Sequence, residues 1–520
     1  MLFYAIAAAA GCLLASRGLI HYFQLESYQF PGYFRTLRRN AAKALLPGCV
    51  MEVCWLLIAA LCGRCDMLSL SAVLLLAGSV AVGAALMCMQ RKRKAKKALV
   101  FTPRVKRLYA VAAVVFTLLH WGALAVSPYL TVALCLLLPL MVALAGLLAW
   151  PIEKLISELY FRDAQRMLKE RPDLIKIGIT GSYGKTSVKF ILGTMLQERY
   201  QTLVTPSSFN TPMGVTKIIR TKLQPAHQVF VAEMGARHVG DIKEMCRLVH
   251  PTYGVLTSVG PQHLDTFKTI ERIKKTKYEL MDAVPENGCC FFPDDGAICR
   301  ELYDRTGKEK LLACAHPGDA DVWAEDVRVS PMGSSFMLCT KDDRIQCETK
   351  LLGEHNIQNI VLAASVCLKL NMTLRQIARG ISRIAPVEHR LQLIPSTGVT
   401  IIDDAFNSNP RGANAALDVI RQFEGRRIII TPGMVELGAE EAEFNRAFGK
   451  KMAQCVDVAI LVGRKHTQPI QDGLKEAGFP AENLHVTASL TEAAALLRTI
   501  GRAGDVALFE NDLPDNYSEA

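Results

Sequence analysis

The sequence predicts an α-helical membrane domain followed by an α/β part of two domains, and three observations carry that prediction. Residues 1–152 are strongly apolar and hold five runs that reach or approach the length of a bilayer span. After a charged connector, an apolar strand pattern over 174–180 enters a glycine-rich loop and then an apolar helical pattern over 188–196. Further on, runs such as 399–402 and 427–430 read as strands of a second α/β domain. The expected boundaries are 1–152 for the membrane domain, 153–170 for a connector helix, 171–387 for the central domain and 388–520 for the C-terminal domain.

The apolar runs come first. Half of the 520 residues are hydrophobic, and the mean hydropathy of +0.20 is high for a soluble enzyme because of the first 152 residues. The runs cover 2–20, 44–62, 67–89, 108–126 and 129–150, and predict about five transmembrane helices. Arg17 interrupts the first, and Glu52 in the second reads as a paired or snorkelling structural group. The loop after the first run holds Arg35, Arg38, Arg39 and Lys43. The loop after the third holds Arg91, Lys92, Arg93, Lys94, Lys96, Lys97, Arg104, Lys106 and Arg107. Positive charge marks the cytoplasmic side. The expectation is a multi-pass protein of the cytoplasmic membrane, with the N-terminus outside and everything after Trp150 in the cytoplasm.

The formal charge of +11 lies largely beside these runs. Its placement argues for topology and against a nucleic-acid partner, which would need a basic face on the globular half. The 16 cysteines are scattered, many in apolar surroundings such as Cys54, Cys135 and Cys367. They read as reduced, buried thiols. Cys62 and Cys65 form one isolated Cys-x-x-Cys, read as chance rather than a metal site.

The glycine loop is Gly181-Ser182-Tyr183-Gly184-Lys185-Thr186-Ser187. Glycines let backbone N–H groups approach phosphates, and a helix N-terminus adds positive potential. Lys185 is placed to neutralise the outer phosphates, and Thr186 offers a hydroxyl to Mg²⁺. A bound nucleotide, ATP, is the expectation.

With Thr180 before it, this loop resembles the nucleotide loop of the Mur ligases and folylpolyglutamate synthases, and further segments continue the likeness in order. They are Ser208-Phe209-Asn210-Thr211-Pro212-Met213-Gly214-Val215, Phe230-Val231-Ala232-Glu233-Met234-Gly235-Ala236 and Gly260-Pro261-Gln262-His263-Leu264-Asp265. Thr276-Lys277-Tyr278-Glu279, Gly353-Glu354-His355-Asn356-Ile357-Gln358-Asn359, Asp403-Asp404-Ala405-Phe406-Asn407-Ser408-Asn409-Pro410 and Gly433-Met434-Val435-Glu436-Leu437-Gly438 follow. The likeness covers about residues 170–510. Its last two segments are closest to the branch that adds D-alanyl-D-alanine to a UDP-N-acetylmuramoyl tripeptide.

The resemblance implies a P-loop Mur ligase central domain and a Rossmann-like C-terminal ligase domain. It implies nucleotide contacts from Gly181, Ser182, Gly184, Lys185, Thr186, Ser187, Asn210, His355, Asn356 and Asn359, with Asp404 and Asn407 closing from the third domain. It implies metal ligation by Thr186, Glu233, His263 and a carbamylated Lys277. Catalytic roles fall to Lys185, Lys277, His263 and Arg390. Two segments depart from the pattern. Phe292-Pro293-Asp294-Asp295 lacks the family's asparagine, and the stretch 508–517 lacks its two basic residues.

The implied chemistry agrees with what the residues supply. A carboxylate is a poor electrophile, and ATP converts it to an acyl phosphate that an amine attacks. Such a transfer needs positioning and charge neutralisation. The expected substrates are a carboxylate peptide precursor of the cell envelope and an amino acid or dipeptide amine. The branch it resembles begins with a soluble UDP-sugar domain, whose place is taken here by the apolar runs. A lipid-linked precursor is therefore an alternative substrate, and a poly-gamma-glutamate type synthetase an alternative activity. A transporter or export component with an ATPase domain is the alternative of another class. It is disfavoured because Arg17, Glu52 and His120 are the few ionisable residues in the runs.

Overall fold

The computed structural model describes residues 1–62, 68–92, 98–206, 209–394, 398–405, 409–435 and 437–512. It divides into two compact units, Met1–Leu159 and Tyr160–Ala520.

The first unit is helical: α1 (Leu2–Ala15), α2 (Arg17–Leu25), α3 (Phe30–Arg39), α4 (Ala41–Cys62), α5 (Leu68–Lys92), α6 (Pro103–Val126), α7 (Pro128–Leu136) and α8 (Leu138–Lys169). Among the described residues, α6 and α8 are long and apolar enough to cross a membrane. Counting each bent pair as one span raises the number to four.

Of the about five expected spans, two are interrupted in the structure. Run 2–20 breaks at Ser16, whose hydroxyl donates to the Leu13 carbonyl at 2.7 Å and competes with the helical ladder; α1 and α2 meet at 50°. Run 44–62 lies in α4, which meets α3 at 84°. Run 129–150 breaks at Leu137, because Pro139 has no N–H to offer the Cys135 carbonyl and disfavours helix at the preceding residue. Helix α8 then runs unbroken to Lys169, so the residues expected as a connector helix continue the last apolar run. Cys65 and the basic residues 93–97 lie outside the described residues. Helices α1 and α5 approach closely at Gly11, where a Cβ would stand 2.7 Å from the Ser79 carbonyl oxygen. Small residues permit such backbone contact between apolar helices.

The second unit holds two sheets. Its first nine strands are β1 (Ile175–Thr180), β2 (Thr202–Val204), β3 (Val229–Glu233), β4 (Tyr253–Leu256), β5 (Cys289–Pro293), β6 (Lys310–Cys314), β7 (Val322–Ser330), β8 (Gly333–Thr340) and β9 (Arg344–Thr349). Their order is β2-β3-β1-β4-β5-β6-β7-β8-β9. Pairing is parallel from β2 to β7 and antiparallel from β7 to β9.

Parallel strands are buried on both faces and need near-continuous apolar runs, as Val229-Phe230-Val231-Ala232 provides. Alternate residues serve opposite cores. Ile177, Ile179, Val229, Val231 and Phe291 pack on one side with α9 (Lys185–Leu196) and the helix Glu354–Lys369. Phe230, Ala232, Cys290 and Phe292 pack on the other with the helices Asp241–Val249 and Ile270–Ala283. The chain passes from β1 to β2 on one side of the sheet and returns from β3 past β1 to β4 on the other, so a topological switch point opens at the carboxyl end of β1.

The second sheet has the order β10-β11-β15-β12-β13-β14, with β10 (Gln392–Ile394), β11 (Thr400–Asp404), β12 (Arg427–Thr431), β13 (Val458–Val462), β14 (Leu484–Thr487) and β15 (Val506–Glu510). Only the edge strand β10 is antiparallel. Fourteen cysteines are described, all free thiols, and most are buried.

Candidate active site

The loop after β1 is shaped by backbone geometry. Gly181 has φ +153°, and a Cβ there would stand 2.1 Å from the Thr257 hydroxyl and 2.9 Å from the Ser258 nitrogen. Gly181→Ala is expected to destabilise the protein by about 1–3 kcal/mol through overpacking, read as a lower urea midpoint at unchanged slope. Ser182 ties the loop to the end of β4: its hydroxyl donates to the Gly260 carbonyl at 2.9 Å, and its N–H donates to the Ser258 carbonyl at 2.8 Å. Gly184, with φ +79°, directly precedes α9. The Lys185 ammonium folds back on the loop and donates to the carbonyls of Gly181 at 2.6 Å and Ser182 at 2.9 Å. Burial pulls its pKa down to about 8, offset in part by Glu233 and assisted by Arg390.

Glu233 ends β3 and is buried. Its carboxylate accepts from the Thr186 hydroxyl at 3.2 and 3.1 Å, from the Asn210 amide at 3.1 Å and from Lys189 at 3.0 Å. The Lys189–Glu233 pair is almost wholly buried, at 0% and 1% side-chain exposure, so each charge depends on the other. Sequence reading did not single out Lys189. The available signal was its spacing: it lies four residues after Lys185, on the same side of α9.

Thr186 and Glu233 fit a hard divalent cation. Both offer oxygen, and their oxygens stand 3.1 Å apart, close to the edge of about 3.0 Å for ligands 2.1 Å from an octahedral Mg²⁺.

Lys277 is buried in the helix Ile270–Ala283 and makes no ion pair among the described residues. Burial drives its pKa well below the usual lysine value, and the charge of Lys185 pushes the same way against Asp241 and Glu279. Arg390 is within electrostatic reach of Glu233 and Asp404, with burial lowering its pKa. Asp404, at the end of β11, is pushed up to about 7, chiefly by burial and then by Glu510. His263 lies on the loop after β4, in a left-handed conformation with φ +52°, and precedes the short helix Leu264–Phe267.

A cleft of about 1090 Å³, counting its open mouth, lies over the loop. Ser187, His355, Asn359, Arg390, Asp404 and Arg411 are on its walls. His355 is held neutral, its pKa lowered to about 4 first by burial and then by Arg411. Asn356 spends its amide on the Leu352 carbonyl at 2.8 Å, while Asn359 faces Gly184, where a Cβ would meet its Oδ1 at 3.0 Å. Asp294 and Asp295 end up on the cleft wall. Asp295 accepts from the N–H groups of Ala297 and Cys299, each at 3.0 Å, at the start of the helix Ile298–Arg305. Arg411, on the cleft wall, is a further residue that sequence reading passed over. Ser208, Asn407 and Glu436 lie outside the described residues.

The comparisons align with these two sheets. Residues 179–367 match the Mur ligase middle domain, and residues 389–510 match the Mur ligase, glutamate ligase domain. UDP-N-acetylmuramoyl-tripeptide--D-alanyl-D-alanine ligase of Mycobacterium bovis is 30% identical over 356 residues, covering 64% of this chain and 69% of the relative. The Escherichia coli ligase of the same name is 27% identical over 312 residues, 59% of this chain and 69% of its own length. In fold, the chain is similar to MurF from Acinetobacter baumannii, with a TM-score of 0.63 at 24% identity over 70% of this chain and 79% of that one. It is also similar to the Thermotoga maritima MurF ligase solved with ADP, with a TM-score of 0.62 at 23% identity over 70% and 82%.

Proposed function

Because the chain belongs to the Mur ligase family, and is thus an ATP-dependent ligase, we propose that it adds D-alanyl-D-alanine to a UDP-N-acetylmuramoyl tripeptide in peptidoglycan precursor synthesis. Relatives bearing that name support the substrate pair. The observation that carries the catalytic reading is the Glu233 carboxylate, which gathers Thr186, Lys189 and Asn210 beside the glycine loop.

In this reading the substrate carboxylate attacks the terminal phosphorus of ATP. An O–P bond forms, the bridging bond breaks, and ADP leaves. The amine then attacks the acyl carbon, loses a proton, and phosphate departs. Gly181, Ser182, Gly184 and Ser187 present the loop to the phosphates, with Lys185 supplying positive charge. Asn210 orients the Glu233 carboxylate. Thr186, Glu233 and His263 would hold magnesium, which supplies charge neutralisation at the phosphates. Burial drives the Lys277 pKa well below the usual lysine value, which favours the free-base amine that would add to CO₂ and become a carbamate, an acidic group suited to a second cation. Arg390 reaches the transferring phosphoryl group, while Asp404, His355, Asn356 and Asn359 line the rest of the nucleotide cleft, with Asn407 beside them in sequence.

Residues 1–159 form, in the same reading, a multi-pass domain of the cytoplasmic membrane, with the catalytic unit in the cytoplasm. The exposed Leu140, Leu144, Leu147 and Leu148 on α8 support contact with lipid. That apolar unit also favours a second substrate reading, a lipid-linked carboxylate concentrated by the bilayer.

The test offers the full chain ATP, Mg²⁺ and D-alanyl-D-alanine with either the UDP-linked tripeptide or its lipid-linked counterpart. ADP release and a new amide are expected with the UDP-linked tripeptide. Product from the lipid alone would move the substrate assignment to the membrane. ATP hydrolysis that needs neither carboxylate nor amine would point instead to a transport ATPase.

A further inference from the structure

Three potential metal ligands from distant parts of the sequence converge inside the helical unit. Cys12 of α1, His120 of α6 and Cys135 of α7 are each 0% exposed, and their ligand atoms lie within 4.8 Å of one another. The Cys12 and Cys135 sulfurs are 3.8 Å apart, and Cys12 Sγ is 3.9 Å from His120 Nε2. The other ring nitrogen, Nδ1, is 2.7 Å from the Phe116 carbonyl oxygen. A carbonyl only accepts, so Nδ1 carries the proton and Nε2 turns a lone pair toward the sulfurs. A backbone carbonyl on the far nitrogen is the arrangement that fixes the tautomer and orientation of a metal-bound histidine.

The spacing also suits an ion. Two thiolates about 2.3 Å from a tetrahedral Zn²⁺ stand about 3.8 Å apart. Charge decides which ion suits the site. Two thiolates and a neutral imidazole cancel a divalent cation, whereas a monovalent one leaves a net negative charge in an apolar interior, which is costly. Two further polar groups stand near. The Ser79 and Thr131 hydroxyls are buried with no hydrogen-bond partner among the described residues. Thr131 lies one turn before Cys135 on α7, and Ser79 packs against Gly11, next to Cys12.

We propose that Cys12, His120 and Cys135 form a binding site for a thiophilic divalent ion of the zinc class, which ties α1, α6 and α7 together. Binding forms two metal–sulfur bonds and one metal–nitrogen bond and releases the two thiol protons, with no change of oxidation state. None of the three residues lies in the catalytic cleft.

The test uses the full chain in detergent, purified anaerobically with reductant. Elemental analysis is expected to find about one zinc per chain after dialysis, and Co²⁺ exchange is expected to produce a thiolate-to-cobalt absorption band. Cys12→Ser and His120→Gln should each retain less than about a tenth of the metal, while Cys49→Ser retains all of it. Loss of fold in a variant is controlled in the wild type, where a membrane-permeant chelator should make Cys12 and Cys135 reactive to a maleimide. Three results would overturn the site: folded wild type with neither zinc nor a cobalt band, a band undiminished by Cys12→Ser, or a Cys12–Cys135 disulfide in the anaerobic protein.

Discussion

Lys185→Ala is expected to lower the rate of amide formation by about 10²–10³-fold or more, the scale for removing a preorganised charge from a phosphoryl-transfer site. The ammonium sits over the loop carbonyls of Gly181 and Ser182, where it would meet a bound phosphate chain. Its depressed pKa adds a pH signature. A lysine of pKa about 8 is charged at pH 7 and largely neutral at pH 9. Affinity of the free enzyme for ADP should therefore fall as pH rises through 8, since phosphate favours the charged form. Calorimetric titration with ADP at both pH values checks this. The wild type should show the decline, and Lys185→Ala should bind weakly at both. Full ligase activity in the alanine variant would refute the loop assignment.

Lys277→Ala is expected to cost about as much, roughly 10²–10³-fold, for a different reason. Burial lowers the Lys277 pKa and so favours its free-base form, which can attack CO₂: an N–C bond forms, the nitrogen loses a proton, and a carbamate anion remains. The variant has no nitrogen to modify. Protein equilibrated with ¹³C-bicarbonate should show a carbamate carbon resonance in the wild type and none in Lys277→Ala. Activity of the wild type should drop when CO₂ is stripped and return with bicarbonate. A fully active wild type without the resonance would remove the carbamate from the mechanism.

The strand, loop and α9 around Lys185 were legible in sequence because three levels agree there: an apolar run, glycines where side chains would clash, and a helical pattern. Glu233 was legible because a charged residue closes an apolar strand at the sheet edge where such folds place their chemistry. Lys189 was not. It sits among Val188, Phe190 and Ile191, and nothing local says that its charge is matched by a strand end 44 residues on. The helix breaks at Ser16 and Leu137 were hidden because hydropathy sums over a window and is blind to a hydroxyl or a missing N–H. His120 and Cys135 lie 108 and 123 residues from Cys12 along the chain. No spacing rule links them, and only packing brings them together.

The Lys189–Glu233 pair bears on the order in which ligands arrive. Lys185, Lys189 and Arg390 surround a single buried carboxylate, and that carboxylate is already ion-paired. A bare divalent cation approaching Glu233 would meet these cations and would have to displace a buried ammonium. A polyphosphate meets attraction from every one of those cations. Metal and nucleotide are thus favoured as one complex, entering together. Lys189 holds the acid in place, and a magnesium ion bound by Glu233 would have to take over that charge.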